Sequence, residues 1–365
     1  MRTMGAKRGA VTLEDVARRA GVSLATASRA INGSARKVRP EIRERVEQAA
    51  RDLDYAANAQ AQAVARGRTD VVGLVVQDIE DPYFSSIAAG AMRVAEANGL
   101  MVCIASAGRR PDKEIEYVAA LRRMRAAAIV IAGSRTDDRD ALARLGAEVD
   151  AFERSGGRAV LIGQRRLPVD TLVVANRSGA RDLATRLTGL GYRSFGVLAG
   201  PRGLLTAVDR LAGFAEGLRK AGVALSRDAV VHGEFTRDGG HAAMLELLAR
   251  GRSVECVFAV NDVMAVGAIA ALRTLGLERT VAVAGFDDIT TLRDVIPALT
   301  TVRLPLVEIG ETALEMVLRE PSGRPRYQRI VGEVVLREST PGVRPAHPAP
   351  VGAAEPLPTG PASST

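Results

Sequence analysis

From Val71 onward, short apolar runs alternate with stretches of helical periodicity, and this alternation constrains most of the chain. The runs are VVGLVV, LMVCIA, AAIVIA, RAVLIG, TLVVA, SFGVLA, DAVV, ECVFAV and TVAVAG. Strands that read as unbroken apolar runs are buried on both faces, and the helices between them supply the crossovers that parallel pairing needs. One strand–loop–helix unit also occurs twice. Gly73, Gly90 and Gly99 recur as Gly196, Gly213 and Gly222, all displaced by 123 residues, within GLVVQD…AGAMRVAEANG and GVLAGP…AGFAEGLRKAG. The region reads as two similar α/β lobes. At 365 residues the chain is also too long for one ordinary core.

The 69 residues before that pattern differ in charge and in periodicity. They hold 14 Lys/Arg against 7 Asp/Glu, so nearly all of the chain's net charge of +8 lies there. A concentrated basic segment suits a polyanion, because neutralising phosphates releases condensed counterions; a solvated basic surface is the other reading. Thr12 reads as an N-cap with Asp15 as its acidic partner, and Leu13, Val16, Ala17 and Ala20 make one apolar helix face. Gly21 ends that helix, and Ser23 caps a second one whose Ala27 and Ile31 pack on the first. A third helix from Pro40 presents Ile42, Val46, Ala49 and Leu53. Two short helices joined by a tight turn and braced by a third form a helix-turn-helix unit.

The second helix turns Leu24, Ala25, Ser28, Arg29 and Asn32 away from that core. Small side chains allow close approach to a surface, and the arginine fork matches the paired acceptors of guanine. Thr12, Ser23, Thr26 and Asn32 are short donors suited to phosphate oxygens. Double-stranded DNA is the expected partner.

In the α/β region, ligands bind beyond the carboxyl ends of the strands. The polar and aromatic residues in loops there are Asp78, Tyr83 and Phe84 in DIEDPYF, Arg210 in DRLAGF, Asn261 and Asp262 in VNDVMAVGA, and Asp287 and Asp288 in GFDD. Each has an ordinary alternative: Asp288 as a helix cap, Asn261 as a turn residue, Arg210 as a surface ion pair. Together they supply an arginine, acceptors and aromatic faces, which a polyhydroxylated ligand requires. Cys103 and Cys256 lie far apart in apolar runs and read as buried strand residues.

VTLEDVARRAGVSLATASRAIN, followed by RPEIRERVEQAARDLDYAAN, resembles the DNA-binding headpiece of the lac repressor and galactose repressor family. The likeness continues into a hinge segment, AQAQAVARGRTDVVG. It also covers residues 71–338 through DPYF, DRLAGFAEGL, FAVNDVMAVGAIAAL, VAVAGFDDI, PALTTVRLP and VVLREST. The resemblance implies a multidomain fold: an all-α helix-turn-helix headpiece (1–57), a hinge (58–69) and a two-lobed, periplasmic-binding-protein-like α/β domain with parallel sheets (70–340). Its N-lobe would comprise 70–165 and 293–325, and its C-lobe 166–292 and 326–340. The Pro- and Ala-rich residues 341–365 are expected to be a disordered tail.

By the same resemblance, Leu24, Ala25 and Arg29 stand at base-reading positions, Tyr55 and Asn58 contact the DNA backbone, and Val64 takes the hinge position that wedges into the minor groove. Tyr83, Phe84, Asn176, Arg210, Phe235, Asn261 and Asp287 would line an effector cleft. The expected protein is a dimeric repressor on a near-palindromic operator, modulated by a small ligand such as a sugar. Four departures stand out: Val64 replaces a leucine, Ala57 a proline, Ala175 an aspartate and Tyr192 a histidine. The Ala175 change leaves open a constitutive repressor with a degenerate cleft.

Other classes lack their signatures. There is no phosphate loop GxxxxGK[ST], no GxGxxG after a strand and no GxSxG elbow, and the three histidines show no metal-ligand spacing. No catalysis, cofactor or metal is expected. No apolar run approaches the ~18 residues of a membrane helix, and the start lacks a secretory core. A cytoplasmic protein is expected, rather than an enzyme or a solute carrier for transport.

Overall fold

The computed structural model describes residues 11–32, 38–55, 68–320 and 322–343. The hinge positions Ala57, Asn58 and Val64 lie outside the described residues, as do 344–365. Of the expected tail, 341–343 are described and tied down: Gly342 N donates to Tyr192 Oη at 3.2 Å, and Val343 N to Leu190 O at 3.0 Å. Tyr192, 4% exposed, thus anchors this segment.

Three helices form the N-terminal bundle: α1 (Leu13–Ala20), α2 (Leu24–Asn32) and α3 (Pro40–Asp52). Val16, Ala17, Ala20, Ala27, Ala30, Val46 and Ala49 make its core, with Leu13, Ile31, Ile42, Leu53 and Tyr55 packed around them. Burying a side chain such as Val16 stabilises by about 1.5–3 kcal/mol. This core is built mainly from alanines, which let short helices approach closely.

Two compact units divide the chain at 175/176, 304/305 and 331/332, with Gly203–Thr206 grouped in the first. The first unit contains β1 (Val71–Val76), α4 (Pro82–Ala97), β2 (Met101–Ser106), α5 (Pro111–Arg123), β3 (Ala128–Ala132), α6 (Arg139–Arg154), β4 (Arg158–Gly163) and β5 (Asp170–Val174). Later in the chain, α11 (Leu306–Leu318) and β11 (Tyr327–Ile330) return to it. Its six-stranded sheet runs β11-β5-β4-β3-β1-β2, parallel throughout.

The second unit contains α7 (Asn176–Gly189), β6 (Phe195–Leu198), most of α8 (Leu205–Lys220), β7 (Val230–Val231), α9 (Arg237–Ala249), β8 (Cys256–Ala259), α10 (Asp262–Thr274) and β9 (Ala282–Ala284). These strands form a parallel sheet in the order β7-β6-β8-β9, while β10 (Thr301–Arg303) and β12 (Glu333–Val335) pair antiparallel.

The unit boundaries fall about ten residues beyond the expected 165/166 and 292/293, and six beyond 325/326. Strand pairing gives the reason. β5 pairs with β4 and β11 with β5, so both belong to the first sheet, whereas β10 is held by β12.

Cys256 is fully buried in β8, but Cys103 is exposed, which corrects the expectation of two buried thiols. The cause is topological: β2 is the outermost strand of its sheet, and Met101, Cys103 and Ile104 all remain accessible. An apolar run therefore marked an edge strand as well as the central ones.

Candidate functional site

The helix-turn-helix unit begins with the cap of α1. Thr12 and Asp15 form a reciprocal capping box: Asp15 N donates to Thr12 Oγ1 at 3.3 Å, and Thr12 N to Asp15 Oδ2 at 3.0 Å. The Thr12 backbone amide, then its hydroxyl, hold the Asp15 carboxyl below the usual carboxylate range. Thr12 Oγ1 also donates to Asp15 Oδ2 at 2.7 Å, so its proton serves the cap rather than an outside acceptor. Gly21 then adopts φ +64° with nothing near its Cβ position, so conformation alone calls for glycine there.

Ser23 accepts from Thr26 N at 3.2 Å, and the two hydroxyls lie 2.9 Å apart. One hydroxyl of that pair donates to the other, which leaves one proton for an outside acceptor. On α2, Ala27 and Ala30 are buried while Leu24 is 51% exposed and Ala25 is exposed. Ser28 and Arg29 are half-buried beside them, and Arg29 has no ion-pair partner among the described residues. The side chain of Asn32 lies outside the described set. Tyr55 packs its ring against the bundle core.

In the second α/β unit a buried cluster forms around Arg210 of α8, which is 3% exposed. Its Nε donates to Asn176 Oδ1 at 2.8 Å, its Nη1 to the Val260 carbonyl at 2.7 Å, and its Nη2 to Asp287 Oδ1 at 2.7 Å. Nη1 also reaches Asp287 Oδ2 at 3.2 Å, and the guanidinium lies 3.8 Å from the centroid of the Phe286 ring. Four of the five guanidinium N–H groups are thus engaged, and one remains on Nη2. Arg210 is a buried hub, so the surface ion-pair alternative is excluded.

Local geometry explains how each partner arrives. Asn176 opens α7. Asp287 and Asp288 both have positive φ, +123° and +57°, a strained turn that aims their side chains in different directions. Asp288 is no helix cap: it binds Arg303 at 2.6 Å and Arg337 at 2.7 Å. Asn261 caps α10, its Oδ1 accepting from Met264 N at 3.1 Å, which leaves its amide NH2 outside the cap. Phe235, 9% exposed, packs where a Cβ on Gly200 would lie 2.1 Å from its ring.

In the first unit, Tyr83 and Phe84 occupy the first turn of α4, capped by Asp81, with ring centroids 4.9 Å apart and planes at 84°. Near them Arg109 pairs with Asp78 at 2.7 Å. Sequence reasoning brought Asn176, Arg210 and Asp287 into one cluster but missed Val260, whose backbone oxygen has no sequence signature. It also missed Phe286 as the ring beneath Arg210, although Phe286 directly precedes the Asp pair.

Asp262 is fully buried, accepting from Thr301 Oγ1 at 2.7 Å and Ile289 N at 3.0 Å. Burial pushes its carboxyl up to about 6, against the opposing pull of those two hydrogen bonds. Among the described residues no group of His, Cys, Asp and Glu is arranged to hold a metal ion, and no helix is long and apolar enough to cross a membrane.

Comparison with known proteins matches residues 12–58 to the model for bacterial regulatory proteins of the lacI family. Residues 69–330 match that for periplasmic binding proteins and the sugar binding domain of the LacI family. The HTH-type transcriptional regulator GalR of Escherichia coli is 36% identical over 92% of this chain and 98% of its own length. CelR of Thermobifida fusca, also an HTH-type transcriptional regulator, is 32% identical over 91% and 99%. A lac repressor dimer bound to operator and the anti-inducer ONPF superposes with a TM-score of 0.77 at 25% identity, covering 91% of this chain and 99% of that one. A CelR–cellobiose complex gives 0.66 at 30%, covering 90% and 99%. The helix-turn-helix unit, the parallel α/β units and these similarities lead to one assignment: the chain belongs to the lacI family of bacterial regulatory proteins.

Proposed function

We propose that this regulator represses transcription as a homodimer on a near-palindromic operator, and that a small polyhydroxylated ligand of the sugar class, bound in the α/β region, changes its operator affinity. One observation carries the DNA-reading part. α2 buries Ala27 and Ala30 while leaving Leu24, Ala25 and Arg29 on its accessible side. Leu24 and Ala25 offer no hydrogen bonds, so they favour thymine methyl groups, and Arg29 is the polar reader of a guanine. A two-fold operator follows from one such unit per protomer.

The ligand part rests on Arg210, whose remaining N–H, with the Asn261 amide, suits hydroxyl oxygens. The structurally similar CelR is described as a cellobiose complex, in keeping with a sugar-class ligand. The ligand acts by binding two conformations of the protein with unequal affinity.

The test is selection of genomic DNA fragments on the full-length protein at near-physiological salt. An enriched near-palindrome supports the proposal; no enrichment, with or without a panel of sugars, rejects it. Arg29→Ala is expected to cost about 1–3 kcal/mol of sequence discrimination. Equal weakening on all sequences would reduce Arg29 to a phosphate contact.

A further inference from the structure

The six strands of the first α/β unit run parallel, so their amino ends all lie along one edge of the sheet. The segments leading into β1, β2, β3, β4 and β11 carry six exposed arginines, Arg68, Arg123, Arg125, Arg154, Arg319 and Arg324. Against them stand two exposed carboxylates, Asp70 and Glu320.

Hydrogen bonds tie these segments to one another. Thr69 donates to the Arg125 carbonyl through its amide at 2.8 Å and its hydroxyl at 3.1 Å, and Arg158 Nη1 donates to the Arg319 carbonyl at 3.0 Å. Arg125 is thereby held at φ +54°, a backbone that residues other than glycine rarely adopt. Arg68, Arg158 and Arg319 line one hollow there, with Asp70 and Glu320.

Few of these charges are answered within the chain. Arg154 and Arg319 pair with Asp150 and Glu315, each four residues back, in exposed pairs that bind weakly. Arg68, Arg123, Arg125 and Arg324 have no ion-pair partner among the described residues. The second unit shows the alternative. Arg250 and Arg252 follow α9 at the amino edge of its sheet, and carboxylates hold both, Glu246 at 2.6 Å and Asp228 at 3.0 Å. Helix C-termini favour cations, which accounts for arginine at either edge but not for the missing carboxylates at the first.

The chain also brings a polyanion to this edge. Arg68 is the thirteenth residue after Tyr55, and thirteen residues span at most about 47 Å. A duplex gripped by the helix-turn-helix unit is thus kept within that reach of Arg68, at the raised local concentration that a short connection gives. Guanidinium forks match phosphate oxygens, and a duplex presents a charge about every 1.7 Å of its axis whatever its sequence.

We infer that this edge of the first α/β unit is a second DNA-binding surface, centred on Arg68, Arg123 and Arg125 in the segments before the neighbouring strands β1 and β3. It takes the phosphate backbone of double-stranded DNA and reads no bases. The inference rests on the reading that the chain binds DNA through its helix-turn-helix unit, and it adds a contact outside that unit.

Fluorescence anisotropy of the full-length protein with a labelled duplex of about 60 bp and scrambled sequence, between about 50 and 200 mM salt, tests it. Arg123→Gln with Arg125→Gln should lower the slope of log affinity against log salt by about 1–2, and weaken binding about tenfold or more at low salt. Arg227→Gln with Arg279→Gln removes the same charge from exposed positions at the second unit's corresponding edge, and should change affinity by less than about twofold.

A first double variant with the slope and affinity of the parent overturns the inference. So does a second double variant that loses as much, because the effect is then one of net charge. Arg29→Ala keeps the two readings apart: it should reduce the preference for the selected near-palindrome and leave the contribution of Arg123 and Arg125 to the slope intact. A chain that prefers no sequence fails the regulator reading, while the difference in slope still decides this one.

Discussion

Each α/β unit buries an arginine near the carboxyl ends of its strands, and the two are held in contrasting ways. Arg210, in the second unit, gives hydrogen bonds to a side-chain amide, a backbone carbonyl and a carboxylate, and lies on an aromatic ring. Arg135, in the first, depends on Glu114, with only a 3.5 Å contact besides. A buried charge divided among several acceptors tolerates the loss of one; a charge matched to one carboxylate does not.

The sharpest way to break that contrast is to remove the acid from each pair. Glu114→Ala strands Arg135 and should cost about 3–5 kcal/mol in urea unfolding. Asp287→Asn, which leaves Arg210 with Asn176 and Val260, should cost about 1–3 kcal/mol. Equal losses would show that the additional acceptors around Arg210 contribute little.

Burial acts in the same direction on one carboxyl of each unit, and further on that of the second. Burial raises both Asp262 of the second unit, to about 6, and Glu153 of the first. A carboxyl whose pKa is higher folded than unfolded binds its proton more tightly in the native state. Stability therefore falls as pH rises from about 4 to about 6, and the penalty is complete above that window. For Asp262 the span is about 2–3 kcal/mol. Asp262→Asn should flatten the decline in stability across this window, and Glu153→Gln should change it less. A profile that Asp262→Asn leaves unaltered would remove Asp262 as the group responsible.

A smaller effect tests where the units agree. A Cβ on Gly90 would lie 1.9 Å from the Val307 carbonyl oxygen, and one on Gly213 2.0 Å from that of Arg177. Gly90→Ala and Gly213→Ala should each cost about 1–3 kcal/mol by overpacking, with similar drops in Tm. Unequal drops would mean that the repeated glycine lies on a rigid crossing in one unit and a yielding one in the other. The smallest effect belongs to the headpiece, where Gly21 is set by φ and not by space. Gly21→Ala should cost about 1 kcal/mol, read as lost helicity on heating, without disturbing either α/β unit.

Much of the fold was legible because its signals are local and periodic. The capping box, the αL glycine after α1 and the alanine-rich core follow from residues three or four apart. The 123-residue echo marks equivalent positions in the two units. Gly73 and Gly196 lie in strands under Leu121 and Leu247, and Gly99 and Gly222 both take positive φ.

The misses have a common origin in pairing across long sequence distances. Nothing in MVCIA distinguishes an edge strand from a central one, because the distinction depends on what lies beside it. The unit boundaries shifted because β5 and β11 are recruited by strand partners that no local pattern names. The candidate ligand cluster was partly legible from side chains, but its Val260 carbonyl was not. The Arg135–Glu114 pair was also hidden, since Glu114 reads as one more surface carboxylate in PDKEIEY.

The outermost position of β2 has a practical consequence for anyone who handles this protein. It carries two cysteines, and only Cys103 meets solvent; Cys256 is sealed inside β8, and burial pushes its thiol far above the ordinary range. A maleimide dye should therefore attach at one native position with no engineering. That gives a fluorescent reporter on the edge strand of the first unit's sheet, and a thiol that needs a reducing buffer to keep separate molecules from becoming linked through it.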